Sequence, residues 1–243
     1  MVSTGCLLVA YDFNDRKQKL WTTFLNRSGL NESRSLVIEN APHDNIHAEK
    51  GSNTYFEFSG YLEGLEKIGS KNLDQVFIFN DTLFEHHATS IWANYIRNIK
   101  PSREGIYGDV RIEPVIWDSK SLRILASWHF LLQGKVAIDI FDKILREILL
   151  DFDKPLIINE EYKTYRERYL SGGIFSGYSL SGKLDSKEDI QRKIKCIDAE
   201  HRLGRALDKN AVMVPYSGYR YRLVHLVDRF LSFKRRIKSK VFS

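Results

Sequence analysis

Residues 6–11 read CLLVAY, an uninterrupted apolar run of the length that is typical of a buried β-strand. In residues 17–25, which follow it, the apolar side chains recur at helical spacing and predict a helix. Residues 35–39, SLVIE, form a second apolar run and predict a second buried strand. The first forty residues therefore predict a strand, a helix and a strand, which is the beginning of a parallel α/β sheet.

The same alternation continues toward the middle of the chain. Helical spacing predicts helices over residues 56–68 and 83–99, and residues 74–79, DQVFIF, predict a third strand between them. Strands that alternate with helices form mostly parallel sheets, and these bind ligands at the carboxyl ends of the strands. Polar residues follow all three predicted strands: Tyr11 and Asp12, Glu39 and Asn40, and Asn80 and Asp81.

The second half of the chain has a less regular pattern. Residues 111–117 predict a strand, residues 122–132 form an aromatic-rich segment, and residues 136–150 predict a strongly apolar amphipathic helix. Glycine and serine cluster within residues 169–185, which we expect to form a mobile loop. A polar helix is predicted to follow over about residues 187–207.

The composition excludes several classes of protein. With 43% hydrophobic and 28% charged residues, the chain has the balance of a globular protein that can bury a large core. Two distant cysteines provide neither a disulfide framework nor a thiolate zinc site, and no Walker, Rossmann-fingerprint, nucleophile-elbow or zincin motif is present. The adjacent His86 and His87 would diverge by about 100° on a helix, so they are a poor metal pair. Because no apolar run approaches about 18 residues and no signal-peptide layout is visible, we expect a cytoplasmic protein.

The positive charge is concentrated near the C-terminus. The formal net charge is +6, and residues 217–243 contain eight basic residues and one acid, so the rest of the chain is close to neutral. Apolar residues in this segment recur at three- and four-residue steps: Leu223, Leu226, Val227, Phe230, Ile237 and Val241. This pattern predicts a basic amphipathic helix. Such a helix either docks on the core with a solvated basic face or lies on an anionic membrane, and specific nucleic-acid binding is the weakest reading because the body is neutral.

The acids at the predicted strand ends have two interpretations. A carboxylate there can accept hydrogen bonds from a base or a ribose, and one beside a diphosphate requires a divalent cation to offset repulsion. The pattern thus favours a nucleotide ligand. Alternatively, Asp and Asn simply end the strands and cap the next helices.

Residues 37–44, VIENAPHD, resemble the second-strand signature of family-2-like glycosyltransferases with the GT-A fold, in which the first acid reads the nucleotide base. That acid would be Glu39. Residues 51–65 are similar to the Asn-rich entry into the next helix of that family and include Ser59. Residues 76–82, VFIFNDT, resemble the strand that leads into its acidic metal motif, which would place Mg²⁺ or Mn²⁺ on Asp81.

Two later segments extend the resemblance to about residues 5–215. Residues 124–132 resemble the aromatic acceptor-side element of polysaccharide- and rhamnan-assembling members, so Trp128 and His129 would contact the acceptor. Residues 198–205 are similar to the acidic helix that supplies the catalytic base. Glu200 is the first candidate for the base and Asp198 the second, with Arg202 and Arg205 near the diphosphate. Tyr11, Asp12, Glu39, Asn40, Ser59 and Asn80 would bind the nucleotide, and residues 171–182 could close over the donor.

The resemblance implies an α/β, GT-A-like, Rossmann-like fold with a mostly parallel central sheet and flanking helices. Residues 1–215 would be the glycosyltransferase domain, with a donor-binding half over about 1–117 and an acceptor half over about 118–215, and residues 216–243 the basic helix. The implied activity is inverting transfer of a sugar from a nucleoside diphosphate to a glycan or lipid-linked hydroxyl in bacterial surface polysaccharide synthesis. Residues 219–241 would hold the enzyme peripherally on the inner membrane face. The alternative is a catalytically inactive scaffold of an assembly complex, favoured by the single acid after Asn80.

Overall fold

The computed structural model describes residues 2–40, 47–114, 121–152, 154 and 187–241. Seven strands lie within these ranges: β1 (Thr4–Ala10), β2 (Arg34–Glu39), β3 (Glu49–Lys50), β4 (Gln75–Asn80), β5 (Gly105–Pro114), β6 (Ser121–Gln133) and β7 (Met213–Pro215). The same ranges contain seven α-helices: α1 (Asp15–Ser28), α2 (Glu57–Lys67), α3 (Thr82–His86), α4 (Thr89–Arg97), α5 (Lys135–Leu150), α6 (Lys187–Lys209) and α7 (Gly218–Val241).

All seven strands belong to one sheet in the order β3-β2-β1-β4-β6-β5-β7. β1 pairs in parallel with β2 and β4, and only β6 runs against its neighbours β4 and β5. The prediction of an α/β fold with a mostly parallel sheet is therefore confirmed. The chain places β2 and β3 on one side of β1 and returns to place β4 on the other. α/β proteins with such a reversal bind ligands outside the carboxyl ends of the strands that flank it, here β1 and β4, and we call this edge of the sheet the crevice.

Helices cover both faces of the sheet. α2, α5 and α6 pack on one face against residues such as Leu7, Val9 and Ile78, while α1, α4 and the start of α7 pack on the other against Leu8 and Phe79. β1 is buried on both faces, which explains why its sequence is a continuous apolar run without polar alternation.

Two glycines allow α2 to approach β1 closely. A Cβ atom at Gly60 would lie 2.6 Å from Val9 Cγ1, and one at Gly64 would overlap the Leu7 side chain. The helix therefore rests directly on the central strand, and its N-terminus is fixed beside the carboxyl ends of the strands.

Several predicted boundaries differ from the structure. The helix predicted over residues 83–99 is divided into α3 and α4, because His87 is extended, with φ −116° and ψ 156°, and the Ala88 amide bonds to Asp228. The strand predicted over 111–117 begins earlier, at Gly105, and its last predicted residues lie outside the described ranges. β3 and β7 are two and three residues long, too short to leave a pattern in the sequence.

The second half of the chain completes the sheet of the first. β6 is inserted between β4 and β5, so one sheet extends across the boundary predicted near residue 117. The helices predicted over 136–150 and about 187–207 are confirmed as α5 and α6, whereas the predicted loop over 169–185 lies outside the described residues. In the described part of the chain, none of the helices combines the length and apolar character that crossing a bilayer requires.

Candidate functional site

The polar ends of β1, β2 and β4 meet at one edge of the sheet. The Asn40 amide donates to the Ala10 carbonyl at 2.8 Å, and the Asp81 amide donates to the Val9 carbonyl at 3.1 Å. Because the parallel ladders extend one residue beyond the strands, the side chains after all three strands surround the same crevice. The predicted residues Tyr11, Glu39, Asn40, Asn80 and Asp81 are thus brought together.

Asp81 binds a lysine that the sequence analysis did not select. Its Oδ2 atom lies 2.7 Å from Lys17 Nζ and accepts a second hydrogen bond from the Tyr11 amide at 3.1 Å. Lys17 Nζ also lies 3.2 Å from Glu85 Oε1, and the lysine is only 9% exposed. Burial alone would lower the pKa of Lys17, but Asp81 and Glu85 outweigh burial and raise that pKa above its usual value. Lys17 is therefore a fixed cation at the strand ends.

The position of Lys17 in α1 also favours an anion nearby. The side chain of Asn14 caps the helix by accepting from the Lys17 amide at 3.1 Å, so Lys17 lies in the first turn. The helix dipole makes this end of α1 partly positive, so a cation such as Lys17 is disfavoured there unless acids compensate its charge. The same partial charge attracts phosphate groups.

The residues around Asp81 do not fit a resident divalent cation. Such an ion needs several oxygen ligands, whereas Asp81 Oδ2 already contacts the Lys17 ammonium and the Tyr11 amide. Among the described residues, no three His, Cys, Asp or Glu side chains are grouped closely enough to hold a metal. A cation that binds Oδ2 of Asp81 would compete with Lys17 for this oxygen.

Glu39 and Asn40 are buried behind the crevice and hold its loops. Glu39 Oε1 accepts from the Phe13 amide at 2.9 Å, which fixes the turn after β1. Asn40 Nδ2 donates to the Phe56 carbonyl at 2.8 Å, which fixes the entry to α2. Asp12 is exposed at the rim, where it accepts a hydrogen bond from the Asn14 side chain.

The entry to α2 has a strained backbone. The backbone of Phe56 has φ 53° and ψ −137°, a conformation that residues other than glycine rarely adopt. Its carbonyl accepts from both Asn40 and the Ser59 hydroxyl, the latter at 2.9 Å. Ser59 is buried and holds this turn in place. Strain that surrounding contacts enforce in this way is concentrated at functional sites.

Two tyrosines line the space between the strand ends and the helices. Tyr11 is half-buried, its ring centroid is 6.3 Å from that of Phe56, and its hydroxyl donates to Glu57 Oε2 at 3.4 Å. Tyr61 is fully buried and donates to the Ser127 carbonyl at 2.8 Å, which also accepts from Asn80 Nδ2 at 3.3 Å. Burial raises the pKa of both phenols.

Tyr61 lies in the same hydrophobic core as the acidic helix α6, which contributes Cys196 and Ala199 to that core. Burial is the largest cause of the raised pKa of Tyr61, and the negative charges of Glu57, Glu200 and Asp81 raise it further. Asp198 and Glu200 are both half-buried on α6.

The remaining predicted residues lie elsewhere. Trp128 and His129 are buried in an aromatic cluster on the α1, α4 and α7 side of the sheet, and the imidazole of His129 is 4.9 Å from the Trp92 ring between centroids. Burial lowers the pKa of His129 to about 3. Arg202 bonds to Asp151 at 3.1 Å, and Arg205 is exposed. The predicted lid over 171–182 lies outside the described residues.

A sequence signal for Lys17 existed. It shares one face of α1 with the buried Trp21 and Phe24, four and seven residues later, so it falls within an apolar stripe. A lysine in such a stripe requires a buried acid as its partner.

The chain matches no protein-family model, and no curated protein matches it.

Proposed function

We propose that the chain is a glycosyltransferase that moves a sugar from a nucleoside diphosphate to a hydroxyl of a glycan or lipid-linked acceptor, with inversion, in bacterial surface polysaccharide synthesis. The observation that carries the proposal is the buried Lys17–Asp81 pair in the crevice between β1 and β4. In the proposal, the diphosphate of a nucleotide sugar binds at the N-terminus of α1, beside the Lys17 ammonium. The motif resemblance of residues 37–44 and 76–82 to GT-A enzymes favours the same ligand.

In this proposal, different residues around the crevice bind different parts of the nucleotide-sugar donor. Tyr11 offers a ring face for stacking of the base, and Asp12 is accessible at the rim for polar contacts. Glu39, Asn40, Ser59 and Asn80 hold the loops that shape the nucleotide pocket. Lys17 stabilises the negative charge that develops on the departing diphosphate, a role that a divalent cation would otherwise have.

The chemical step needs one base. As the acceptor oxygen bonds to the anomeric carbon, its proton passes to a carboxylate, and the bond from that carbon to the diphosphate breaks with its electron pair on the leaving oxygen. We assign the base to Glu200, the first candidate of the motif resemblance, which is half-buried on α6, with the half-buried Asp198 as the second candidate. Trp128 and His129 are buried in this structure, so contact with the acceptor would require rearrangement of that segment.

A thermal-shift panel tests the donor site. The full chain is heated with nucleoside diphosphates and nucleotide sugars, each with Mn²⁺ and with a chelator. A ligand at about 100 times its dissociation constant should add roughly 2.7 kcal/mol of stability. Glu39→Ala should abolish a selective shift, because the turn after β1 loses its anchor. Glu32 is exposed in the loop between α1 and β2, so Glu32→Ala should leave the shift unchanged. If no nucleotide shifts the wild type, the proposal is wrong.

A catalytically inactive scaffold is the second candidate. The observation that favours it is that Lys17 neutralises Asp81, the predicted metal ligand, within the protein itself. Nucleotide binding without release of diphosphate in the presence of any glycan acceptor would favour the scaffold over the enzyme.

A further inference from the structure

α7 is anchored to the body of the protein through one of its faces. The buried carboxylate of Asp228 accepts from the Ala88 amide at 2.5 Å and lies 2.7 Å from His87 Nδ1. About two helical turns earlier, the Tyr221 hydroxyl donates to Asp109 Oδ1 at 2.6 Å. Burial alone would raise the pKa of Asp228, but the hydrogen bonds from His87 and Ala88 outweigh burial and keep that pKa below its usual value. These anchors fix the rotation of the helix about its axis.

The opposite face of α7 carries large apolar side chains in solvent. The exposed fractions are 78% for Tyr219, 45% for Leu223, 67% for Leu226 and 55% for Phe230. At about 100° per residue, these four side chains project between about 160° and 220° from Asp228. We call this stripe the outer face of α7.

The outer face is not ordinary surface. Eight large hydrophobic residues are exposed among the side chains that the structure describes, and four of them lie on this one helix. Of the other four, Val2 precedes β1, Ile112 lies on β5, and Val136 and Leu150 lie at opposite ends of α5. Single exposed hydrophobic residues need no explanation, but a continuous stripe indicates an interaction surface.

Basic residues flank the outer face on both sides. Arg222 and Arg229 are exposed and project about 100° to 120° from Asp228, and the exposed Arg220 projects about 80° in the other direction. The sequence after Phe230 adds further cations and no acid: Lys234, Arg235, Arg236, Lys238 and Lys240. Long basic side chains in this position can reach outward beside an apolar stripe that is inserted into a headgroup layer.

From this arrangement we infer that the outer face of α7 lies in the headgroup layer of an anionic lipid bilayer, with the helix parallel to the surface and the body of the protein on the water side. The apolar stripe inserts among the upper acyl chains, and the flanking arginines bind lipid phosphates and carboxylates. The charge complementarity selects an anionic surface. A nucleic acid would use the basic residues but would leave the four apolar side chains in water, so it fits the outer face less well.

Flotation of the full chain with lipid vesicles tests this inference without any nucleotide. We expect the chain to bind vesicles of phosphatidylcholine with about 30% phosphatidylserine at least about tenfold more strongly than phosphatidylcholine alone. The double variant Leu223→Glu/Leu226→Glu should lose at least about tenfold in binding, because two charges replace the inserted side chains. Arg222→Gln/Arg229→Gln should lose about tenfold on the anionic vesicles and little on the neutral ones.

Leu150→Glu provides the matched control, because Leu150 is 81% exposed at the end of α5 and is not part of the outer face. It should bind the vesicles like the wild type, and circular dichroism should show all variants folded. Absence of binding to anionic vesicles would overturn the inference. Unchanged vesicle binding by Leu223→Glu/Leu226→Glu would also overturn the inference, because it would show that charge alone attracts α7 to the vesicles. A third result would overturn the inference and indicate a nucleic-acid partner. This result is that duplex DNA displaces the vesicles equally well from the wild type and from Leu223→Glu/Leu226→Glu.

Discussion

The ammonium nitrogen of Lys17 lies 2.7 Å from Asp81 Oδ2, and both side chains are largely shielded from solvent. α1 supplies the lysine and the end of β4 supplies the acid, so the pair joins a helix to the carboxyl edge of the sheet. A buried pair is costly to break because the remaining charge stays uncompensated. The same contact therefore stabilises the fold and sets the charge of the candidate donor site.

Removal of either partner should destabilise the fold. We expect Lys17→Met and Asp81→Asn each to lower the free energy of unfolding by about 3 kcal/mol. The double variant should lose less than the sum of the two, because it leaves no uncompensated charge. Urea unfolding of the four proteins at pH 7 measures this coupling. Lys19→Met, an exposed lysine on the same helix, should change stability by less than about 0.5 kcal/mol. Strictly additive losses would show that the two charges do not depend on each other.

Glu200→Gln should remove transfer but not donor binding. The amide cannot take the acceptor proton, so the rate of diphosphate release with acceptor should fall by about 10² to 10⁴. Nucleotide affinity should change less than about threefold, because Glu200 contacts the acceptor side in this proposal. Asp198→Asn serves as the comparison on the same helix. A larger rate loss for Asp198→Asn than for Glu200→Gln would reverse the assignment of the base.

Stability should fall in mild acid because of His129. Burial lowers the pKa of this imidazole to about 3, although the negative charges of Asp109 and Asp228 act in the opposite direction. The unfolded chain binds a proton near its ordinary pKa of about 6.5, so protonation favours unfolding as the pH falls from about 6.5 toward 3. Between pH 7 and 5.5 this histidine should cost about 1 kcal/mol.

Urea unfolding at both pH values checks this expectation. His129→Leu should remove that part of the pH dependence, whatever its own effect at pH 7. His86→Gln, whose imidazole is mostly exposed, should keep the dependence of the wild type. An unchanged pH dependence in His129→Leu would mean that another group is responsible.

Gly64→Ala should loosen the contact between α2 and β1. The added Cβ would overlap the Leu7 side chain, so one of the two elements must shift. We expect a loss of about 1 to 3 kcal/mol in urea unfolding, although alanine favours helices more than glycine does. Ser90→Ala, at an exposed site in α4, is a control for substitution by alanine. Stabilisation by Gly64→Ala would show that the interface has room for a methyl group.

The local pattern predicted much of the donor side of the fold. β1, β2 and β4 are continuous apolar runs that end in polar residues, so their bounds and their shared edge followed from the sequence. The position of β6 did not, because its antiparallel pairing with β4 and β5 depends on contacts between distant residues. A long apolar strand without alternation also resembles a buried helix, so residues 122–132 could be recognised only as an aromatic segment.

Side-chain partners were harder to predict than elements. Spacing placed Leu223, Leu226 and Phe230 on one face of α7, but it could not show that Asp228 on the other face docks on His87. Likewise, the resemblance selected Asp81 as a metal ligand, but the sequence did not show that Lys17, 64 residues earlier on α1, binds this carboxylate. Periodicity shows which residues share a face, whereas tertiary contacts decide what that face meets.

The most direct test of the donor site is a calorimetric titration of nucleoside diphosphates into the protein in the presence of a chelator. We predict binding of one nucleoside diphosphate without metal, and a loss of at least about tenfold in affinity for Lys17→Met/Asp81→Asn, which removes the cation without leaving a buried charge. Equal affinity of the wild type and the double variant would show that Lys17 does not bind the diphosphate, and binding that requires a divalent metal would show that a metal ion has this role.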